Sequence, residues 1–170
     1  LRSKPENVRK MLLDGRWDVV EGAFFTEWDP AVHVIRPFNP PEDWHRVVGA
    51  DWGTRSPYAF LWGAFNPNGE LFIYRELYGE GNHEPASEVA AKIRRFEQMA
   101  NEDIRERWLD SSCFDKTGAE ESTADVFGRL GVHFQPSKKQ NKKFSIDRLR
   151  DYLKVVNGKA AIHIMESCPN

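Results

Sequence analysis

The chain has 170 residues, 40% hydrophobic and 12% aromatic, with 24 Lys and Arg against 26 Asp and Glu and a net charge of -2. This is the balance of one globular domain with a sizeable core, and it excludes a disordered or collagen-like chain. No apolar stretch approaches the roughly 20 residues of a membrane-spanning helix, and Leu1 to Lys10 has no apolar run after a charged start, so a soluble intracellular protein with no membrane partner is expected.

Residues 1–45 read as a connecting segment, with a short helix from Pro5 to Asp14 and then chain punctuated by Pro30, Pro37, Pro40 and Pro41, a spacing that argues against long helices. At Arg46 the texture changes to that of a folded domain, residues 46–170. Arg46 to Asp51 reads as a short strand. Pro57 to Phe65 is apolar on both faces, as a central strand is. Asn66-Pro-Asn-Gly69 then turns the chain into Glu70 to Tyr78, making a hairpin. Beyond Pro85, the residues Ala86, Val89, Ala90, Ile93, Phe96 and Ala100 recur at helical spacing. Arg107 to Ser111 reads as a strand, Ser122 to Leu130 as a helix stopped by Gly131, and Val132 to Phe134 as a strand. After a lysine-rich loop, Ile146, Leu149, Leu153 and Val156 mark a helix ended by Asn157-Gly158, and Ala160 to Met165 makes a last strand. The order β-β-β-α-β-α-β predicts an α/β domain with a mixed sheet and flanking helices, similar to the ribonuclease H-like order.

Two carboxylates stand where strands end. Asp51 closes the first strand in Gly49-Ala-Asp-Trp-Gly53, and Asp110 closes another in Trp108-Leu-Asp-Ser-Ser112. In α/β sheets, sites form at the C-terminal ends of strands. If the two strands are neighbours, both carboxylates project from one sheet edge and are able to share Mg²⁺ or Mn²⁺. Such hard cations prefer oxygen ligands, and a pair of them about 4 Å apart activates water and stabilises the leaving oxygen of a phosphodiester. Each aspartate is equally read as a cap that accepts amide hydrogen bonds from its own turn. Glu76 reads either as a further acidic ligand or, the reading favoured, as an outward-facing strand residue paired with Arg75 or another neighbour, and Asp115 as part of a loop. The five histidines show no metal-binding spacing, Cys113 and Cys168 read as free thiols, and there is no P-loop motif.

Charge is distributed unevenly. Between Pro136 and Lys159 eight basic residues stand against two aspartates, while the rest of the chain is net acidic. The loop Pro136-Ser-Lys-Lys-Gln-Asn-Lys-Lys143 follows a strand on the same sheet edge as the two aspartates. There Lys138, Lys139, Lys142 and Lys143 would bind a DNA backbone as mobile point charges, or form a solvated loop.

The stretch Leu12-Leu-Asp-Gly-Arg-Trp17 to Glu21-Gly-Ala-Phe-Phe25, then His33-Val-Ile35, Pro40-Pro41, Trp44 and Gly49-Ala-Asp-Trp-Gly53, resembles the large terminase subunit of tailed bacteriophages across its connection from ATPase to nuclease domain. That family's nuclease domain is ribonuclease H-like, with clustered acids that bind two Mg²⁺ or Mn²⁺ ions. The resemblance implies that Asp51 is the first acid and Asp110 the second, and that Lys138 or Lys139 matches a lysine after the fifth strand. It implies a metal-dependent endonuclease that cuts concatemeric viral DNA in the bacterial host cytoplasm, with double-stranded DNA, portal and small terminase subunit as partners. Where relatives carry an acid shortly after the first Asp, this chain has Ser56-Pro57. The family's third acidic ligand, on a later C-terminal helix, has no counterpart before Asn170, so the nuclease domain is expected to be C-terminally incomplete, with an ATPase domain missing before residue 1. Two other functions fit parts of the pattern. An actin-like sugar or small-molecule kinase also begins with an Asp-Gly turn on its first strand. A non-enzymatic DNA-binding or assembly module would use the basic loop alone.

Overall fold

A computed structural model describes residues 24–53, 57–79, 84–116, 118, 120–138 and 142–170. The helix expected from Pro5 to Asp14 lies outside these residues, as do Lys139 and His83. In chain order the elements are a one-turn helix α1 (Pro30–His33), β1 (Val34–Ile35), β2 (His45–Asp51), β3 (Tyr58–Phe65), β4 (Leu71–Gly79), α2 (Ala86–Ala100), β5 (Glu106–Leu109), a short 3-10 turn (Ser111–Phe114), α3 (Thr123–Arg129), β6 (Gln135–Pro136), α4 (Lys142–Leu153) and β7 (Ile162–Met165).

The strands form one mixed seven-stranded sheet in the order β1-β7-β4-β3-β2-β5-β6. Only β3 runs against its neighbours; the other pairs are parallel. The expected α/β mixed sheet is thus present. Its centre follows from β3, where Tyr58, Phe60, Trp62 and Ala64 are all buried; a strand covered on both faces needs this continuous apolar run. The β3–β4 hairpin closes as its turn residues dictate. Asn66 Oδ1 accepts from the amides of Asn68 (3.0 Å) and Glu70 (2.9 Å), and Gly69 takes a φ of 81° that a side chain resists. Val89, Ala90 and Ile93 of α2 cover one sheet face and join Val48, Phe60, Trp62, Leu109 and Phe127 in a single core.

The last strand starts at Ile162 rather than Ala160, and three other expected elements differ in extent for an identifiable local reason. The strand read at Val132–Phe134 begins only at Gln135. The Val132 amide is committed to the Phe127 carbonyl (2.9 Å) where Gly131, at φ 83°, closes α3, so the ladder to β5 starts later even though Val132 is fully buried. The strand read at Arg107–Ser111 stops at Leu109, because Asp110 caps the 3-10 turn. Asn157-Gly158 does not end α4, which stops at Leu153. It forms a tight turn in which Val156 and Lys159 exchange amide hydrogen bonds (2.8 and 3.1 Å), with both central residues at positive φ.

The segment before β2 contributes the sheet's edge. β1 pairs with β7, and the fully buried His33 brings Nε2 to 2.9 Å from the Leu153 carbonyl while its ring stacks on Trp28.

Candidate metal centre and basic edge

β2 and β5 are parallel neighbours in register from Val47 opposite Glu106 to Ala50 opposite Leu109. The residue after each of these last partners is a carboxylate, Asp51 at the end of β2 and Asp110 just beyond β5, and both are exposed. The structure therefore brings the two acids to adjacent positions on one sheet edge, at the C-terminal ends of both strands. Asp110 is also a cap: its Oδ1 accepts from the Ser112 amide (2.8 Å) and hydroxyl (2.5 Å). The cap reading of this residue is thus present, and the cap fixes the orientation of the carboxylate.

Cys113 lies against this edge, buried in the 3-10 turn. Its thiol is pushed up to about 11, first by burial and then by the charge of Asp110, with Asp51 adding and a Ser112 hydrogen bond opposing. Both carboxylates thus act on one thiol. Nothing in the sequence beyond a cysteine three residues after Asp110 signalled this.

Trp52, directly after Asp51, is packed among aromatic rings. Its ring stacks on Tyr58 (centroids 5.4 Å apart, planes at 12°) and meets Phe127 edge-on at 5.5 Å. Tyr58 in turn donates from its hydroxyl to Glu84 (2.5 Å), which pairs with Lys92. Burial, with the Glu84 carboxylate adding, pushes the Tyr58 phenol up and keeps it a donor, while Lys92 and Tyr58 hold Glu84 below the usual carboxylate range. The Tyr58 ring lies so close to Gly79 that a Cβ there would stand 2.2 Å from it, so β4 must carry glycine at this position.

Glu76 sits apart from the pair. It lies on β4, two strands from β2, and accepts from the backbone amide (3.1 Å) and side-chain amide (2.8 Å) of Asn170; Arg75 pairs instead with Glu102. Glu76 is therefore a strand residue satisfied by a neighbour, though not by Arg75. The basic loop leaves the sheet beside the acids: β6 pairs with β5, the Ser137 amide donates to the Leu109 carbonyl (2.8 Å), and the next residue is the exposed Lys138. Lys142 opens α4 and Lys143, exposed, follows it, whereas Lys139 lies outside the described residues.

Carboxylate oxygens at two neighbouring strand ends are the hard donors that Mg²⁺ and Mn²⁺ prefer. Among the described residues no group of three or more His, Cys, Asp or Glu is assembled. Asp51 and Asp110 therefore fit part of a metal shell and do not complete it. No described helix is long and apolar enough to cross a membrane.

This mixed sheet, with flanking helices, is ribonuclease H-like, and solved structures narrow the class. The chain superposes on the large terminase of thermophilic bacteriophage D6E with a TM-score of 0.69 at 17% identity, over 98% of this chain and 42% of that one. The nuclease domain of the P22 large terminase matches with a TM-score of 0.65 at 14% identity, over 87% and 74% of the respective chains. The large terminase nuclease of thermophilic phage G20c, solved with bound zinc, matches with a TM-score of 0.52 at 13% identity, over 84% and 80%. The chain spans between a third and a half of the D6E terminase, at 34% to 42% depending on crystal form. No family model and no curated protein sequence matches the chain. The chain has the fold of phage large-terminase nuclease domains, as the resemblance in its sequence implied.

Proposed function

We propose that this chain is the divalent-metal-dependent endonuclease domain of a phage DNA-packaging terminase, hydrolysing DNA phosphodiesters to cut concatemeric viral DNA. The observation that carries the reading is that Asp51 and Asp110 directly follow Ala50 and Leu109, the last in-register pair of β2 and β5. The fold of terminase nucleases supports it, and the zinc in the G20c structure supports a divalent metal as the cofactor class. In this reading residues 46–170 are the nuclease domain and residues 1–45 the connection from an ATPase domain. A further acid from a later helix completes the shell. The partners are double-stranded DNA, the portal and the small terminase subunit, in the host cytoplasm.

Asp51 and Asp110 hold Mg²⁺ or Mn²⁺, and the Ser112 hydrogen bonds fix the Asp110 carboxylate for that role. When bound, the cations supply Lewis-acid stabilisation of the phosphoryl charge and a nucleophilic water at neutral pH. Lys138, Lys139, Lys142 and Lys143 neutralise phosphates beside the acids and set the position of the duplex without reading its sequence. Trp52, stacked on Tyr58, keeps the strand end that carries Asp51 in place.

Mn²⁺-dependent nicking of supercoiled plasmid tests this. Asp51→Asn and Asp110→Asn are each expected to reduce nicking to the background seen in EDTA, and undiminished nicking in both would overturn the assignment. A second reading, a DNA-binding module without nuclease chemistry, is favoured by one observation: two acids, not three, are brought together among the described residues. Salt-sensitive DNA binding unaffected by Mn²⁺, with no cleavage, would select it.

A further inference from the structure

Outside the buried aromatic clusters one ring stands apart. Phe144, in the first turn of α4, is 58% exposed, and among the described residues it makes no ring–ring or cation–π contact. The other described aromatic that is more than half exposed, Phe24, lies against the Arg150 guanidinium (5.4 Å) and edge-on to Phe25 (4.9 Å).

The helix itself holds Phe144 outward. Leu153 is buried and Ile146 and Arg150 are half-buried, and these three mark the inner face of α4. At about 100° per residue, Phe144 stands about 160° from Ile146 and about 180° from Leu153 around the axis. That inner face is tied down at two points: His33 Nε2 lies 2.9 Å from the Leu153 carbonyl, and Arg150 Nη2 donates to the Phe24 carbonyl at 3.0 Å. Rolling the helix to cover the ring would break both ties.

The ring sits in cationic surroundings on the side of the acids. Lys142 and Lys143 precede it, Arg148 stands one turn on, and Asp147 is the one carboxylate in that turn. Four residues carry the chain from Lys138 to Lys142, a reach of at most about 14 Å. Lys138 itself follows Ser137, whose amide is bonded to the Leu109 carbonyl beside Asp110, so the start of α4 stays within reach of the edge that carries Asp51 and Asp110. Lysines alone suit any polyanion, but the ring adds a choice. A phenyl side chain offers a flat apolar face and no hydrogen bond, so its best partner is another flat face. A nucleic acid strand supplies both complements, phosphates for the lysines and base faces for the ring. In an intact duplex those faces are closed within the stack; in a single strand or at an opened step they are free.

We propose that Phe144 stacks on an unpaired base of DNA held by the lysine-rich loop, so that this edge engages single-stranded or locally opened DNA beside the acids. The inference rests on the reading that DNA is the ligand of this edge and not on cleavage. Binding in EDTA, over a salt series, of a short single-stranded oligonucleotide carrying 2-aminopurine and of a blunt duplex of the same sequence tests it. The wild-type chain is expected to quench the probe in the single strand. Phe144→Ala is expected to weaken single-strand binding about tenfold, the effect of one base stacked on an aromatic ring. The loss should be the same at every salt concentration, because a stack releases no counterions and leaves the slope of log affinity against log salt unchanged. Phe144→Trp should retain the affinity, and the blunt duplex should bind Phe144→Ala as it binds the wild type. An unchanged single-strand affinity in Phe144→Ala would overturn the stack and leave the ring to a partner other than DNA. So would an equal loss for single strand and duplex, a reduced slope, or no binding of the single strand by the wild-type chain. Nicking by the aspartate variants decides the nuclease reading separately: a chain that stacks DNA without nicking it would lose that reading and keep this one.

Discussion

Cys113 is a residue-scale reporter of the acidic edge, because the charges of Asp110 and Asp51 both act on its thiol. The sign of the linkage follows from the shift. The folded thiol titrates at about 11, above its ordinary 9, so its contribution to stability is intact below pH 9 and is lost as pH rises from 9 to 11. In metal-free buffer, Asp110→Asn is expected to lower the Cys113 pKa by a fraction of a unit and Asp51→Asn by less, since burial is the larger cause and Asp110 the stronger of the two charges. The midpoint of alkylation rate against pH, measured with Cys168→Ser to silence the other thiol, reads this directly; an unmoved midpoint in both variants would separate the acids from the thiol. Asp51 and Asp110 were legible in the sequence because a carboxylate that ends an apolar strand is a local pattern. The contacts that hold them were not. Tyr58 meets Glu84 across 26 residues and fills the space over Gly79, and no local spacing encodes either contact.

At the scale of elements, α2 shows where periodicity informs and where it stops. The spacing of Val89, Ala90 and Ile93 gave the buried face correctly, but the row continues through Glu97 and not Phe96, which stays 36% exposed. The reason is chemical. Glu97 accepts from Trp62 Nε1 (3.1 Å) and takes an ion pair from Arg107 (2.6 Å), so β3 and β5 draw a carboxylate under the helix and leave the aromatic ring outside. An apolar periodicity has no means of foreseeing a buried acid whose partners come from two distant strands. Glu97→Gln keeps an acceptor for Trp62 but leaves the Arg107 guanidinium, only 18% exposed, without its counter-charge. The expected loss is about 3 kcal/mol, measured as a fall in the urea midpoint at unchanged m-value. A loss under about 0.5 kcal/mol, in the range of surface substitutions, would mean the pair is solvated.

At the scale of the whole molecule, the sheet order sets charge as well as shape. β6 lies beside β5, so the lysine-rich loop emerges next to the acids of a chain whose net charge is -2. A polyanion approaching that edge meets attraction from Lys138 and Lys143 and repulsion from Asp51 and Asp110 on neighbouring strands. Two consequences separate these terms. Each lysine that contacts a phosphate contributes about 0.9 to the slope of log affinity against log salt, so Lys138→Ala with Lys143→Ala should reduce that slope by about 2 and weaken all duplex sequences alike. Asp51→Asn, by contrast, removes a screened repulsive charge, so without metal it should raise affinity, most at low salt, and steepen the slope slightly, the opposite sign to the lysine pair. Fluorescence anisotropy on a short duplex over a salt series distinguishes the two. A slope unaffected by the lysine pair would move the DNA contact away from this loop, and a lower affinity in Asp51→Asn would contradict an edge where acids and duplex phosphates face one another.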